Sequence, residues 1–316
     1  MTWLLLAVVS YLMLAVVNLG DKFVVDKLLK SSKAYAFVVG LLSAVIFVLA
    51  PWFLEWPGLN LFLINIVTGA LFIFALWIMY EALKVGEASR VVVVIGSIVP
   101  VFTILFSVLF FQESFASSQW LGMLFLLAGM LVMSLIVSRR NKWRMFVGRV
   151  KMVFVGGYKK KWIFLAITSA LLYAIFFIAT KYAYSHQPFM SSFIWIRGGG
   201  LLVVILFLLD KKNRQEIKNS LLAKSSKSAK VGKEFIVFNQ VLGSGAFLIQ
   251  NYAVFLGPVA IINALQGVQY AALLLLGIFF SIFFPKILQE DISKKVLIKK
   301  ILAILLVAIG LYLITI

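Results

Sequence analysis

The chain has 316 residues, 63% of them hydrophobic and only 13% charged, against about half and a quarter in an ordinary soluble domain, so a soluble fold is excluded. A formal charge of +19 in a soluble chain would point to nucleic acid. Here all but Lys181 and Arg197 of the thirty Lys and Arg fall in the gaps between apolar runs or at the edge of a run, so anionic lipid headgroups are the expected partner and nucleic acid is not.

Ten apolar runs follow one another, at about 2–19, 34–54, 61–82, 91–111, 119–138, 162–183, 190–209, 235–256, 260–284 and 297–316. Each approaches the roughly 20 residues that a helix needs to cross a hydrocarbon core. The first opens on Met1-Thr2-Trp3, with no basic stretch or small-residue cleavage site, and reads as a span rather than a signal peptide. The gap after it holds Lys22, Lys27, Lys30 and Lys33, and the third gap holds Lys84 and Arg90. The fifth runs from Arg139 to Lys161 and mixes cations with Trp143, Phe146, Met152 and Phe154, as a short helix in the headgroup layer would. The seventh spans Asp210 to Glu234, and its NSLLAKSSKSAKVGK stretch reads as a flexible linker. The ninth adds Lys286, Lys294, Lys295, Lys299 and Lys300. The even gaps (EWPGLN, QESFASS, YSHQPFM and GPV) carry no Lys or Arg. The positive-inside rule then places the basic gaps in the cytoplasm and both termini outside. The expected location is the cytoplasmic membrane of a bacterium or archaeon.

The chain divides near residue 150 into two five-span halves, 1–150 and 151–316. Ser10, Asn18 and Lys22 lie over Ser169, Phe177 and Lys181 at one offset. YEALKVGEASRVVVVIGSIVP (80–100) lies over NYAVFLGPVAIINALQGVQYA (251–271), which superposes Gly86 on Gly257 and Gly96 on Gly267. Both halves close with an apolar run, a glutamate (Glu113, Glu290) and a last span bearing Gly129 or Gly310. An odd number of spans per half requires opposite insertion, and the basic gaps change parity between the halves accordingly. Inverted repeats of this kind build secondary transporters, with substrate held at the repeat interface near the midplane. The expected fold class is an all-α integral membrane protein of ten transmembrane helices in two inverted five-helix repeats.

The stretch 80–135, with its Leu-Lys-x-Gly-x-Ala-Ser opening, Pro100, Glu113 and a Gly-rich final helix, resembles the EamA repeat of the drug/metabolite transporter superfamily. The second half, from GPVA through Glu290 to Gly310, is similar to a weaker copy. The resemblance implies a transporter, and it puts Arg197 where members often carry an arginine in the second helix of a repeat. Members handle amino acids, nucleotides, sugars, sugar phosphates and drugs, so the resemblance leaves the substrate open. Two departures stand out: Ala271 replaces the counterpart of Pro100, and the charge pattern places the termini outside where members usually keep them in the cytoplasm.

Polar side chains within spans face the bundle interior, because lipid cannot satisfy them. Helical spacing groups them into stripes: Ser169, Tyr173 and Thr180; Gln240, Ser244 and Asn251; Asn263, Gln266 and Gln269 or Tyr270; Ser97, Pro100, Thr103 and Ser107; Asn65 and Thr68. The expected substrate ligands are Arg197, Gln240, Asn263, Gln266, Gln269, Tyr173, Tyr270, Ser97 and Asn65, with interhelical hydrogen bonding as the alternative for each. Pro100 removes a backbone donor and marks a hinge or helix break. Gly198-Gly199-Gly200 allows close helix approach. Lys181, near a helix end, is expected to snorkel to the interface. Arg197 lies deeper and suits two-point contact with a carboxylate or phosphate, or pairing with a carbonyl. No carboxylate lies mid-span, which disfavours antiport of drug cations and leaves Glu81 as the candidate for coupling.

His186 has no acidic neighbour in sequence, so no metal site is expected. No nucleophile, paired acids or phosphate loop appears, and no catalytic residue or cofactor is expected. The function expected is secondary transport, metabolite export included, of a small polar or anionic metabolite by alternating access. A channel or lipid scramblase is the alternative, followed by a membrane-embedded lipid enzyme. Ten spans enclose a cavity unaided, so a monomer suffices and a homodimer stays open.

Overall fold

The computed structural model describes residues 2–27, 32–85, 88–137, 157–222, 227–283 and 294–316. These residues are helical, with no strand among them. In chain order the helices are α1 (Thr2–Lys27), α2 (Ser32–Ser43), α3 (Ala50–Phe53), α4 (Leu59–Val85), α5 (Ala88–Phe111), α6 (Ser117–Val137), α7 (Gly157–His186), α8 (Phe189–Leu209), α9 (Lys211–Leu222), α10 (Lys227–Leu256), α11 (Val259–Ala264), α12 (Gln266–Phe283) and α13 (Lys294–Thr315). A 3-10 segment, Ala44–Leu49, joins α2 to α3.

Eight described stretches are long and apolar enough to cross a membrane: Thr2–Gly20, Ala36–Phe53, Leu59–Ala82, Val94–Phe111, Lys161–His186, Phe189–Leu209, Val259–Phe280 and Leu297–Thr315. Ser117–Val132 is apolar but shorter. Their outward faces are apolar too. On α1, Leu5, Val9, Leu12 and Val16 form an exposed stripe at helical spacing, whereas Ala7, Ser10, Tyr11 and Ala15 point inward. Water would not tolerate such a surface, and lipid does. The chain is an integral membrane protein.

Small residues set the closest approaches, as they do where lipid removes the hydrophobic drive between helices. α4 lies between α7 and α8, and α1 packs on α10 and α12. Where α4 meets α8, a Cβ on Gly69 would collide with the Ile196 carbonyl, and one on Gly199 with the Ile66 carbonyl. The triple-glycine run thus meets its expected packing role. α6 lies along α13, where a Cβ on Gly310 would come within 2.8 Å of the Gly122 carbonyl. By contrast α2, the sequence counterpart of α8, meets α10 at few points among the described residues.

Helix ends follow local chemistry. Gly257-Pro258 separates α10 from α11: the Gly257 amide closes on the Ala253 carbonyl at 2.8 Å, and the proline can only begin a new helix. The Asp210 carboxylate accepts from the Lys212 and Asn213 amides at 3.2 and 3.3 Å and starts α9. This corrects the linker expectation for 219–233: the chain is helical through Leu222 and again from Lys227, and 223–226 lie outside the described residues. Ile217 anchors α9 in a cluster with Ala34, Phe37, Val203 and Phe207. Most of the expected headgroup helix, and Glu290 with it, also lies outside the described residues. α5 runs through Pro100 as one helix. The interruption falls in the other half, at Leu265 between α11 and α12.

Candidate functional site

Arg197 stands at the junction of four helices. It lies on α8, retains 8% of its surface and turns its guanidinium into aromatic rings. Its Cζ is 4.5 Å from the ring centre of Phe247 (α10), 4.7 Å from Phe193 one turn earlier on α8, and 5.4 Å from Phe72 (α4). Phe72 in turn packs on Phe176 (5.1 Å), Phe247 (5.3 Å) and Tyr173 (6.1 Å), which brings in α7. Among the described residues the guanidinium donates to no carbonyl, amide or carboxylate, and the Tyr173 hydroxyl likewise makes no hydrogen bond. Cation–π contacts offset part of the cost of burying this charge, at about 2 kcal/mol when desolvated. They leave five N–H donors unused. Beside the site, Tyr184 donates to Asn251 Oδ1 at 3.0 Å, and Asn251 Nδ2 donates to the Phe247 carbonyl at 2.8 Å.

Lys181 is treated differently. Its Nζ donates to the carbonyls of Gly257 (2.8 Å), Val254 (2.9 Å) and Phe255 (3.2 Å) at the C-terminus of α10. This corrects the snorkelling expectation: a helix end offers unpaired carbonyls and negative partial charge, a better acceptor set than the interface for an ammonium half-buried there. Lys181 also edges a cavity of about 310 Å³ with Glu113, Ser114, Gln119 and Pro258. Glu113 accepts from the buried Ser107 hydroxyl.

The remaining expected ligands fall into separate places. Asn65 is paired with Gln187 through reciprocal amide bonds (3.1 and 3.2 Å) and accepts from Ser192 at 3.3 Å. Beside it, Ser191 exchanges hydrogen bonds with the Glu55 backbone (3.0 and 3.1 Å), and Trp195 Nε1 donates to the Glu55 carbonyl at 2.8 Å. Trp56, Phe62 and Trp195 cover this clasp with a ring cluster. Tyr270 presses its ring and hydroxyl on Gly96, four residues before Pro100, where the proline frees a carbonyl; Ser97 is buried beside it. Asn263 is buried and donates to the Val259 carbonyl of its own helix at 3.1 Å. Gln269 is buried, while Gln266, Gln240 and Glu81 are half-buried. Of the expected ligands, Tyr173 is the one that Phe72 connects to Arg197.

Sequence reasoning passed over Tyr11, Gln250, Gln187 and the two serines. Tyr11 donates to the Ile262 carbonyl at 2.9 Å and accepts from Gln250 Nε2 at 3.0 Å, which ties α1 to α10 and α11. Both are polar residues inside apolar runs, and that signal was available. Phe72 and Phe247 carried none, being two of 29 phenylalanines. His186 bonds to the Tyr182 carbonyl (2.8 Å) and lies tilted against the Tyr182 ring; among the described residues no group of His, Asp and Glu is arranged to hold a metal.

A bundle of apolar helices enclosing a cation and aromatic rings defines a polytopic membrane protein with an interior polar site. Residues 1–135 match the EamA-like transporter family, which lies within the drug/metabolite transporter superfamily. Members of this family are transporters, not enzymes. No curated protein sequence matches the chain. A crystal structure described only as that of a protein superposes with a TM-score of 0.64 over 98% of each chain at 16% identity, a likeness of fold alone.

Proposed function

We propose that the protein is a secondary transporter that moves a small anionic or polar metabolite by alternating access, with Arg197 as the principal substrate ligand. The observation that carries this reading is a buried guanidinium without a hydrogen-bond acceptor among the described residues. An uncompensated charge is costly in a bundle interior, and a bound anion compensates it. Tyr173 joins Arg197 through Phe72. In this reading Gln240, Asn263, Gln266, Gln269, Tyr270, Ser97 and Asn65 line the rest of the path, and Glu81 near the end of α4 couples transport to an ion.

Two five-span halves, 1–150 and 151–316, supply the moving parts, with Ser117–Val137 and the C-terminal part of Lys227–Leu256 completing ten spans. The paired contacts support this: α4 on α7 corresponds to α10 on α1, and α5 on α7 to α12 on α1. One correspondence fails, since among the described residues α4 seals against α8 while α2 and α10 barely meet. That imbalance fits a state closed at the clasp and looser at the basic-loop end. In our orientation the basic loops face the cytoplasm of a bacterial or archaeal cell, and a monomer suffices. A reporter fused after Ile316 tests that orientation.

The decisive experiment is flux in proteoliposomes. A transporter saturates and shows counterflow, and Arg197→Ala abolishes movement of the anion. Non-saturating flux rejects this reading in favour of a channel or scramblase, and transport unchanged by Arg197→Ala removes the residue from the site.

A further inference from the structure

Charge, wall chemistry and the positions of the acids together narrow what Arg197 can accept. We infer that the site around Arg197 selects monovalent carboxylates with an apolar or aromatic body and no ammonium group. This rests on the reading of Arg197 as substrate ligand.

The charge balance comes first. The site holds one guanidinium, so one negative charge neutralises it. A phosphate dianion would leave a net negative charge among phenylalanines, with no second cation to meet it among the described residues. Lys181 commits its three protons to the carbonyls of Val254, Phe255 and Gly257. Lys300 lies on α13, which packs chiefly on α6 and α12. A carboxylate matches the planar fork of the guanidinium and carries a single charge.

The walls come second. Phe72, Phe193 and Phe247 surround the guanidinium, and Phe176 extends the surface through its contacts with Phe72 and Phe247. These rings offer no partner to a sugar hydroxyl, whose desolvation would go unrewarded, whereas an apolar or aromatic body gains by burial among them. The neighbouring amide of Asn251 is already engaged, its Oδ1 by Tyr184 and its Nδ2 by the Phe247 carbonyl. The Tyr173 hydroxyl is the neutral group left over beside Phe72.

The acids come third. Glu55 and Glu113 lie in the short connections after α3 and α5, and Glu81 lies near the far end of α4, nine residues beyond Phe72. No carboxylate among the described residues meets the ring cluster, so the ammonium of an amino acid would lose its water without gaining a counter-charge.

The test is a series of compounds sharing one ring: 3-phenylpropionate, L-phenylalanine (the same skeleton with an added ammonium) and phenyl phosphate (a dianion at pH 8), with lactate as a carboxylate lacking an apolar body. Binding to the purified full chain in lipid nanodiscs is measured as a ligand-dependent rise in thermal midpoint. 3-Phenylpropionate is expected to bind saturably, and each of the others at least about tenfold more weakly. Arg197→Gln should abolish the response. Arg197→Lys, which keeps the charge but not the two-point geometry, should weaken it, and carries the test if Arg197→Gln fails to fold. L-Phenylalanine or phenyl phosphate binding as tightly as 3-phenylpropionate, with the response lost in Arg197→Gln, overturns this inference and leaves the anion-transport reading standing. Binding of 3-phenylpropionate unchanged in both variants overturns the two together. Silence toward all four compounds also overturns the inference, while saturable, Arg197-dependent counterflow of another anion would preserve the broader reading.

Discussion

The surroundings of Lys181 and of Arg197 differ in one respect that separates architecture from function. Both cations lie inside apolar runs. At Lys181 the end of α10 provides three carbonyls, at 2.8, 2.9 and 3.2 Å, and every ammonium proton is used. At Arg197 three helices provide aromatic faces, and no acceptor appears among the described residues. A satisfied cation fastens α7 to the junction of α10 and α11. An unsatisfied one, held in place by rings, is poised to meet something that arrives. Burial alone does not distinguish the two roles; the inventory of acceptors does.

Replacing each residue tests that contrast, and the largest effect is expected at Arg197. Arg197→Ala should lower transport of an anionic substrate by about 100-fold or more while leaving circular dichroism and detergent-resistant folding intact. Transport that survived, or a chain that failed to fold, would make Arg197 a structural cation like Lys181. At Lys181 the outcome should be reversed. Lys181→Met leaves three carbonyls unpaired, and stability should fall by about 2 kcal/mol in reversible unfolding, with substrate KM unchanged. A shift in KM without loss of stability would erase the distinction.

A smaller change is expected at the clasp. Asn65→Ala removes the reciprocal amide pair with Gln187 and the bond from Ser192. Interhelical hydrogen bonds in membranes contribute about 0.6 kcal/mol each, so in a Ser192→Cys background, where the serine bond is already lost, losing the two bonds to Gln187 should make opening roughly eightfold more frequent. Because the chain has no native cysteine, a single Ser192→Cys probe reports this directly as faster thiol labelling. Labelling at an unchanged rate would mean that the clasp does not limit access. The smallest effect should come from Thr180→Val. The Thr180 hydroxyl is buried with no partner among the described residues, so its loss should alter stability by no more than about 0.5 kcal/mol, in the stabilising direction. A larger loss would reveal a bonded hydroxyl.

Much of the helical layout was legible because it follows from transfer of single side chains into lipid. The apolar runs fall on described helices, though α1 continues to Lys27 and α10 starts at Lys227, and EWPGLN, QESFASS and GPV mark where they stop or turn. The short linker was misread because Ser, Lys and Ala signal solvation, whereas one apolar residue, Ile217, suffices to dock a capped helix on α2. Arg197 was legible as an exception to a charge pattern. Asn65 lies on a polar stripe, and such a stripe serves a substrate or a partner such as Gln187, 122 residues away, equally well.

By itself the sequence determined that this chain lives in a membrane, where its helices run and which two cations are out of place, because hydropathy and charge act residue by residue. Only the tertiary structure decided what those cations do. Whether a donor is satisfied depends on which carbonyls and rings distant helices bring within a few ångströms: the end of α10 reaches Lys181, and Phe72 and Phe247 close on Arg197. No local pattern encodes that meeting, since it is set by the packing of α4, α7, α8 and α10 together.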